Sequence, residues 1–551
     1  MKIALLQHNF IIGDIAGNAE KILRGYRNAC NKHVDLVVST ELALFGYPPR
    51  DLLEREDLIA QQLEALNRMA GAVGRVPLVV GFAERNEEKV GKPLFNSAAV
   101  LQNGLLQETR RKALLPTYDV FDEYRYFEPY TKPQSPVSIG EKRIGVVICE
   151  DIWNGVEDAG VGGRKQYSFD PFQHFEKGHF DALVVINGSP YWWGKAEMRF
   201  RLVSDLAQRL KVPIFYSNQV GGNDELIFDG RSFAVAQDGS CTALAKAYQE
   251  DMLIVDLHQQ TAASFPTDVD KTEEVENALV LGLRDYVGKV NGFRGGAVLG
   301  LSGGIDSSLV AVLAAKALGA KDVLAVAMPS PFSSRESIED AETLSRNLGI
   351  DFFTIPIKEG FEAYRKMLDS TIGWSDPPTV TEENIQSRIR GMILMAIANR
   401  QKRIVLGTGN KSELAMGYAT LYGDMAAGLG IISDLPKTLV YELARFINRK
   451  NEIIPKRVLM KPPSAELRPN QKDTDSLPPY DVLDPILHAY VEERKSAQEI
   501  IDGGHDRTLV NRIIRTVDMM EFKRRQAAPG LKITTKAFGS GRRMPIAARF
   551  S

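Results

Sequence analysis

Between residue 1 and about residue 260, short runs of apolar and β-branched residues recur: Lys2–Leu6, Leu36–Ser39, Leu78–Gly81, Ser97–Leu101, Ile144–Cys149, Ala182–Asn187, Ile214–Ser217 and Leu253–Leu257. Helical patterns separate several of them, which predicts an α/β domain with its own core over residues 1–261. Residues 262–272, with Pro266 among polar neighbours, read as a linker. A second alternation fills 273–551. It starts as helix Glu273–Asn291, strand Ala297–Leu301, helix Ser308–Leu318, strand Val323–Met328, helix Glu336–Leu348 and strand Phe352–Pro356. Strands alternating with helices predict a doubly wound parallel sheet, which binds ligands at the carboxyl ends of its strands. Lys461 to Pro485, with six prolines and the charged word Lys472-Asp473-Thr474-Asp475, predicts a long loop or lid rather than a core element.

A chain of 551 residues exceeds what one hydrophobic core fills, in keeping with two domains. Its 68 basic and 70 acidic residues leave a formal charge of −2, so nothing favours a nucleic-acid surface, and small-molecule substrates are expected. No apolar run approaches membrane-spanning length, and Ile3–Leu6 is too short for a signal-peptide core. Cys30, Cys149 and Cys241 are too few for a disulfide framework and fit a reducing cytoplasm.

The most telling segment is Leu299-Gly300-Leu301-Ser302-Gly303-Gly304-Ile305-Asp306-Ser307-Ser308, lying between a strand and a helix. Glycines let backbone fold tightly around an anion, and the helix start offers free N–H groups and a positive dipole end. Ser302 and Ser307 add hydroxyl donors. Asp306 alone would repel phosphate, so its presence implies a divalent cation bridging the two. The Walker string G-x-x-x-x-G-K-[ST] is absent. Ordinary strand-to-helix turns also use Ser, Gly and Asp, but the segment resembles the SGGxDS loop of the ATP pyrophosphatase enzymes. That resemblance implies ATP contacts from Gly300, Leu301, Ser302, Gly303, Gly304, Ile305, Asp306 and Ser307, and activation of a carboxylate as an adenylate.

In the first half, the apolar strand Ile144–Ile148 runs into Cys149-Glu150-Asp151. Such a cysteine is either a buried structural thiol or a nucleophile. Leu36–Glu41 ends another apolar strand in a carboxylate, and Arg110–Tyr118 places Lys112 before an apolar turn. Glu41, Lys112 and Cys149 together match the Glu-Lys-Cys set of the nitrilase/amidase family, along with the flanking words Glu41–Pro49 and Val120–Phe127. The resemblance implies an α-β-β-α sandwich in which Glu41 is the general base, Lys112 stabilises thiolate and oxyanion, and Cys149 attacks an amide. Glu123 becomes an auxiliary carboxylate. Tyr118, Ser189 and Lys195 fall at positions that bind glutamine in the resembling glutaminases.

In the second half, Gly407-Thr408-Gly409-Asn410-Lys411-Ser412-Glu413 follows the strand Arg403–Leu406. Taken alone it is either a tight turn or a ligand approach. The whole chain resembles the glutamine-dependent NAD⁺ synthetases, amidase half first and a Rossmann-like adenine nucleotide α-hydrolase half second. The resemblance implies that Thr408 contacts ATP, that Asp306 and Glu413 share Mg²⁺, and that Asn384, Glu413 and Lys523 meet deamido-NAD⁺. Lys437 is a further ATP candidate. It also implies L-glutamine, deamido-NAD⁺ and ATP as substrates, a closed passage for ammonia, and a homo-oligomer. Two alternatives stand beside this one: amidation of a different adenylated carboxylate, and a non-catalytic nucleotide-sensing scaffold.

Overall fold

Ile3 and Leu5 face one side of the first strand and Ala4 and Leu6 the other, and all four are buried. A strand apolar on both faces needs cover on both faces. The computed structural model, which describes residues 1–154, 167–174, 180–257, 263–266, 269–375 and 378–549, supplies it. The chain divides into two units, Met1–Val269 and Asp270–Ser551.

In the first unit the strands are β1 (Lys2–Gln7), β2 (Leu36–Val38), β3 (Leu78–Arg85), β4 (Leu94–Gln102), β5 (Leu105–Arg111), β6 (Val137–Ile139), β7 (Lys142–Ile148), β8 (Ala182–Asn187), β9 (Ile214–Asn218), β10 (Val220–Asn223), β11 (Leu226–Asp229), β12 (Phe233–Val235), β13 (Cys241–Leu244) and β14 (Asp251–Asp256). The helices are α1 (Ile15–Cys30), α2 (Glu56–Ala72) and α3 (Lys195–Leu210). Two six-stranded sheets form, in the orders β14-β1-β2-β3-β4-β5 and β13-β12-β9-β8-β7-β6, while β10 and β11 pair as a separate hairpin.

The sheets meet through one face of each. Ile3, Leu5, Leu36 and Val38 pack with Ile144, Val146, Ile148, Val184 and Ile186. On the outer face of the first sheet, Ala4, Leu6 and Val37 meet Ile22 and Tyr26 of α1 and Ile59 and Leu66 of α2. On the other, Val147, Leu183 and Val185 meet Val203 and Leu206 of α3. Period-two alternation thus feeds a central layer and two outer layers, giving an α-β-β-α sandwich.

The second unit contains α4 (Lys271–Lys289), β15 (Ala297–Gly300), α5 (Ile305–Leu318), β16 (Val323–Ala327), α6 (Arg335–Leu348), β17 (Asp351–Thr354), α7 (Lys358–Ile372), α8 (Val380–Gln401), β18 (Ile404–Gly407), α9 (Lys411–Met416), β19 (Leu429–Gly430), α10 (Lys437–Ile447), α11 (Lys456–Met460), α12 (Tyr480–Leu487), α13 (Ala497–Asp502), α14 (Arg507–Met519) and α15 (Glu521–Arg524). Its sheet is parallel throughout, in the order β17-β16-β15-β18-β19. The chain steps one way from β15 to β16 and the other way to β18. Strand order therefore reverses between β15 and β18, and that point opens a crevice at their carboxyl ends.

Three expectations need correction. Helix α5 begins at Ile305, not Ser308, so Asp306 and Ser307 stand on its first turn. Ser307 and Ser308 look like helix caps, but both hydroxyls bond back to the Gly304 carbonyl, at 3.1 and 2.8 Å. The segment Lys461–Pro485 is not a loop to its end. Helix α12 starts after Pro479, and Leu483, Ile486 and Leu487 sit in an apolar cluster with Val510, Ile513 and Val517 of α14. The prolines punctuate this segment without keeping its apolar spacing out of the core. Of the expected linker 262–272, residues 262, 267 and 268 lie outside the described residues. Phe265 is buried and stacks on Phe200 at 4.4 Å, while Lys271 and Thr272 already belong to α4, capped by Asp270.

Candidate active sites

Glu41 follows β2, Lys112 follows β5, Cys149 follows β7 and Ser189 follows β8, so strand ends from both sheets of the sandwich converge. Cys149 stands at φ +45°, a left-handed conformation that costs a side-chain-bearing residue about 1–3 kcal/mol unless its surroundings impose it. Asp151 imposes it. Its carboxylate accepts from the Ile148 N–H at 3.0 Å and from the Ala113 and Leu114 N–H groups at 2.9 Å each. One buried side chain thereby ties the Cys149 turn to the segment that carries Lys112. Burial pushes the Asp151 carboxyl up to about 6 against those donors.

Lys112 Nζ donates to Glu41 Oε1 at 2.7 Å and to Glu123 at 2.7 and 3.0 Å. All three residues are buried. Burial alone would lower the Lys112 pKa; the Glu123 and Glu41 carboxylates overcome it and hold the ammonium well above its usual value. Burial and then Glu41 push the Cys149 thiol well up, with Lys112 opposing. The resting cysteine is a protonated thiol next to a carboxylate that can take its proton and an ammonium that can stabilise the anion.

Three further residues complete this cluster. Asn96 donates to Glu41 Oε1 at 2.8 Å and to Glu123 Oε2 at 3.4 Å, and the Tyr47 hydroxyl donates to Glu123 Oε1 at 2.8 Å. The Gly188 N–H takes the other oxygen, Glu41 Oε2, at 2.8 Å. Glu41 is thus oriented from three sides.

Around it stand the residues expected to meet glutamine. Lys195 Nζ lies 5.7 Å from the ring centres of both Phe121 and Trp153. The Ser189 N–H donates to Asn218 at 3.0 Å, and its carbonyl accepts from Arg199 at 3.3 Å. The Tyr118 hydroxyl donates to Glu150, as does Tyr167, at 3.1 and 3.0 Å. Burial pushes Glu150 up to about 7, although Lys112 and both hydroxyls oppose it.

In the second unit one cavity of about 410 Å³ opens at the strand-order reversal. Gly300 to Ser307, Thr408, Glu413, Asn384, Lys437 and Lys523 all line it. Gly303 has φ +78°, and a Cβ there would lie 2.2 Å from the Ser337 carbonyl, so only glycine fits that turn of the loop. The Ser302 N–H and hydroxyl meet Ser307 Oγ at 3.2 and 3.1 Å, closing the loop on itself. Thr420 Oγ1 donates to Asn384 at 2.9 Å, and Lys523 Nζ donates to the Gly417 and Ala419 carbonyls at 2.8 and 2.9 Å.

Asp306 and Glu413 share two partners. Asn410 Nδ2 donates to Asp306 Oδ1 at 2.9 Å, and the Asn410 N–H donates to Glu413 Oε2 at 3.1 Å. Lys437 Nζ reaches the remaining oxygens, Asp306 Oδ2 at 2.5 Å and Glu413 Oε1 at 3.3 Å. Burial pushes Glu413 up to about 8, with Lys437 opposing and Asp306 adding to it.

Asn96, Tyr47, Glu150, Asp151 and Asn410 were assigned no role of their own from the sequence. Asn96 is a polar side chain inside an apolar run, Tyr47 lies within the matched word Glu41–Pro49, and Glu150 and Asp151 show only as the acidic residues after Cys149, with no local signal of the bonds they make. Asn410 does carry one. Asn-x-x-Glu before a short helix is a capping pair, and Asn410 Oδ1 accepts from the Glu413 N–H at 3.0 Å.

Residues 2–159 match the carbon-nitrogen hydrolase family model, and residues 275–527 match the NAD synthase model. A glutamine-dependent NAD(+) synthetase of Synechocystis sp. is 49% identical over 560 residues, covering 100% of this chain and 99% of the relative. One from Thermotoga maritima is 41% identical, covering 100% and 99%. The solved structure of glutamine-dependent NAD+ synthetase from Acinetobacter baumannii in complex with adenosine diphosphate is 38% identical, with a TM-score of 0.77 over 99% of this chain and 98% of that one.

Proposed function

Since this chain belongs to the glutamine-dependent NAD(+) synthetase family and is a glutamine-dependent ligase using ATP, we propose that Glu41, Lys112 and Cys149 generate its ammonia and that the cavity at the strand reversal consumes it. The carrying observation is that one chain holds both a buried thiol-carboxylate-ammonium cluster and a glycine-loop cavity with two carboxylates.

In the first unit, Cys149 Sγ attacks the glutamine side-chain carbonyl as Glu41 takes the thiol proton. The Lys112 ammonium faces the oxygen that becomes negative. Collapse breaks the C–N bond, the Glu41 proton leaves with ammonia, and a thioester remains. Water, activated by Glu41, then releases glutamate and restores the thiol. Lys195 pairs with the substrate α-carboxylate, and Ser189 and Tyr118 complete its cradle. Glu123 keeps Lys112 charged, in support of the same step.

In the second unit, the nicotinate carboxylate of deamido-NAD⁺ attacks the α-phosphorus of ATP, forming an adenylate and releasing pyrophosphate. Ammonia adds to the activated carbonyl and AMP leaves, giving NAD⁺. Backbone N–H groups around Ser302, Gly303 and Gly304, with Ser307 and Thr408, bind the phosphates. Asn384, Glu413 and Lys523 orient the dinucleotide.

Asp306 and Glu413 fit a hard divalent cation. Their free oxygens already converge on one cation, the Lys437 ammonium. Mg²⁺ characteristically takes one or two carboxylates and draws its other ligands from substrate phosphates and water. Among the described residues no group of three or more His, Cys, Asp or Glu side chains could hold a metal alone, which suits that division. When bound, Mg²⁺ supplies charge neutralisation for the departing pyrophosphate.

We further assign the reaction to the cytoplasm, a placement that the three free cysteines support. We also assign the chain to a homo-oligomer, for which exposed Met367 and Ile372 on α7 and Met392 on α8 offer apolar surface. No helix among the described residues is long and apolar enough to cross a membrane. The test is product formation from deamido-NAD⁺, ATP and Mg²⁺ with glutamine or ammonium, measuring NAD⁺, AMP and pyrophosphate together. Equal amounts of all three are expected with either nitrogen source. Glutamine hydrolysis with ATP untouched would reject the acceptor.

A further inference from the structure

The four oxygens of Asp306 and Glu413 are divided between two residues. Asn410 holds one oxygen of each carboxylate, and Lys437 Nζ sits between the other two. Asn410 is fully buried and Lys437 is 1% exposed, so solvent does not stand in for either partner. The oxygens that Asn410 holds are fixed by an α9 cap, whereas those that Lys437 holds are satisfied by a mobile-stemmed ammonium with three rotatable donors.

Lys437 is the first residue of α10, and its N–H is tied to Ser412 Oγ at 3.0 Å. Its backbone is therefore fixed while its side chain crosses the cavity wall. Its ammonium lies 5.2 Å from the centre of the Tyr480 ring, and Tyr480 in turn donates to Asp473 at 2.9 Å. Asp306, Glu413 and Asp473 all border the same cavity. Without Lys437 the partly exposed carboxylates of Asp306 and Glu413 and the buried one of Asp473 would lose the ammonium that offsets their mutual repulsion.

A dication and this ammonium do not share the same gap, because like charges about 4 Å apart repel strongly even at an effective dielectric of about 20. We propose that Lys437 is a resident counter-cation that keeps divalent metal out of the Asp306–Glu413 site until a nucleotide polyphosphate in the Gly300–Ser307 loop draws the ammonium away. This rests on the assignment of that cavity to ATP and on Asp306 and Glu413 as metal ligands. The metal then enters with its nucleotide, and the nucleotide-free site stays neutralised by the chain itself. Lys437 has two successive partners, the carboxylates first and the phosphate oxygens second.

Mn²⁺ binding to the full-length protein, read from the free-ion electron paramagnetic resonance signal, tests this without turnover. Nucleotide-free wild type is expected to bind Mn²⁺ weakly, and Lys437→Met at least about tenfold more tightly. Lys437→Arg, which keeps the charge, should behave as wild type. Adding α,β-methylene ATP should tighten Mn²⁺ binding to wild type far more than to Lys437→Met. Tight stoichiometric binding of Mn²⁺ to nucleotide-free wild type overturns the proposal whether or not a variant folds. So does a folded Lys437→Met with unchanged affinity, or a Lys437→Arg that matches Lys437→Met. If wild type fails to bind Mn²⁺ even with the analogue present, the assignment of the cavity itself fails, and the proposal with it.

Discussion

Lys112 Nζ lies 2.7 Å from Glu41 Oε1, and neither side chain reaches solvent. A buried ammonium with one carboxylate would be neutral as a pair. Here a second carboxylate, Glu123, sits 2.7 Å from the same nitrogen, and with Glu41 it overcomes burial to keep the Lys112 ammonium charged beside Cys149. Replacing Lys112 with Met should leave two carboxylates facing each other without a counter-charge. We expect glutamine-supported synthesis to fall by about 10²–10³-fold, the cost of losing an oxyanion partner, while ammonium-supported synthesis persists. Initial rates with each nitrogen source check this.

Cys149→Ala removes the proposed nucleophile and keeps a Cβ at the φ +45° turn, so the backbone strain there is unchanged. Glutamine use should drop by more than about 10³-fold, with ammonium-supported NAD⁺ formation retained. Loss of both activities in a folded variant would contradict the division between the units. Alanine is also unlike glycine in retaining a Cβ, so the thermal midpoint should change little.

Glu150 and Asp151 give the first unit a pH dependence of definite sign. Burial raises Glu150 from 4.5 to about 7 and Asp151 from 3.8 to about 6. Each carboxyl therefore holds its proton more tightly folded than unfolded between those limits. The unfolded chain binds fewer protons there, so stability falls as pH rises from about 4 to about 7. Glu150 alone accounts for as much as about 3 kcal/mol. Glu150→Gln should flatten the loss, as read from denaturant midpoints across that range.

Gly303→Ala places a Cβ against the Ser337 carbonyl at a φ that suits glycine. We expect a cost of about 1–3 kcal/mol and a marked rise in the KM for ATP. Glutamine hydrolysis, assigned above to residues of the other unit, provides the control.

Asn410→Ala removes an α9 cap worth about 1 kcal/mol and frees one oxygen of Asp306. The KM for ATP should rise more than kcat falls. Asn410→Asp should be worse, because it places a third carboxylate on the pair.

Much of the architecture was readable along the chain, and the gaps have physical causes. Ile144–Ile148 and Ala297–Leu301 announce themselves because a strand covered on both faces must be apolar throughout. Strand β5 does not, since Leu105 and Leu106 are exposed and only the Asn103-Gly104 turn, with both residues at positive φ, marks the hairpin. The catalytic candidates were visible as carboxylate, lysine and cysteine at strand ends. Asn96 was not, because an amide inside a strand gives no sign that it spans two carboxylates brought together from residues 41 and 123. The early start of α5 was hidden for a related reason: serine hydroxyls serve equally as caps or as partners of a carbonyl one turn back.

The pairing of β1 with β14 places Lys2 opposite Asp256, with the first strand inside its sheet and the last at the edge. Nascent chain emerging from a ribosome can build the β2-β3-β4-β5 part early, but one side of β1 stays unpaired until some 250 residues have followed it.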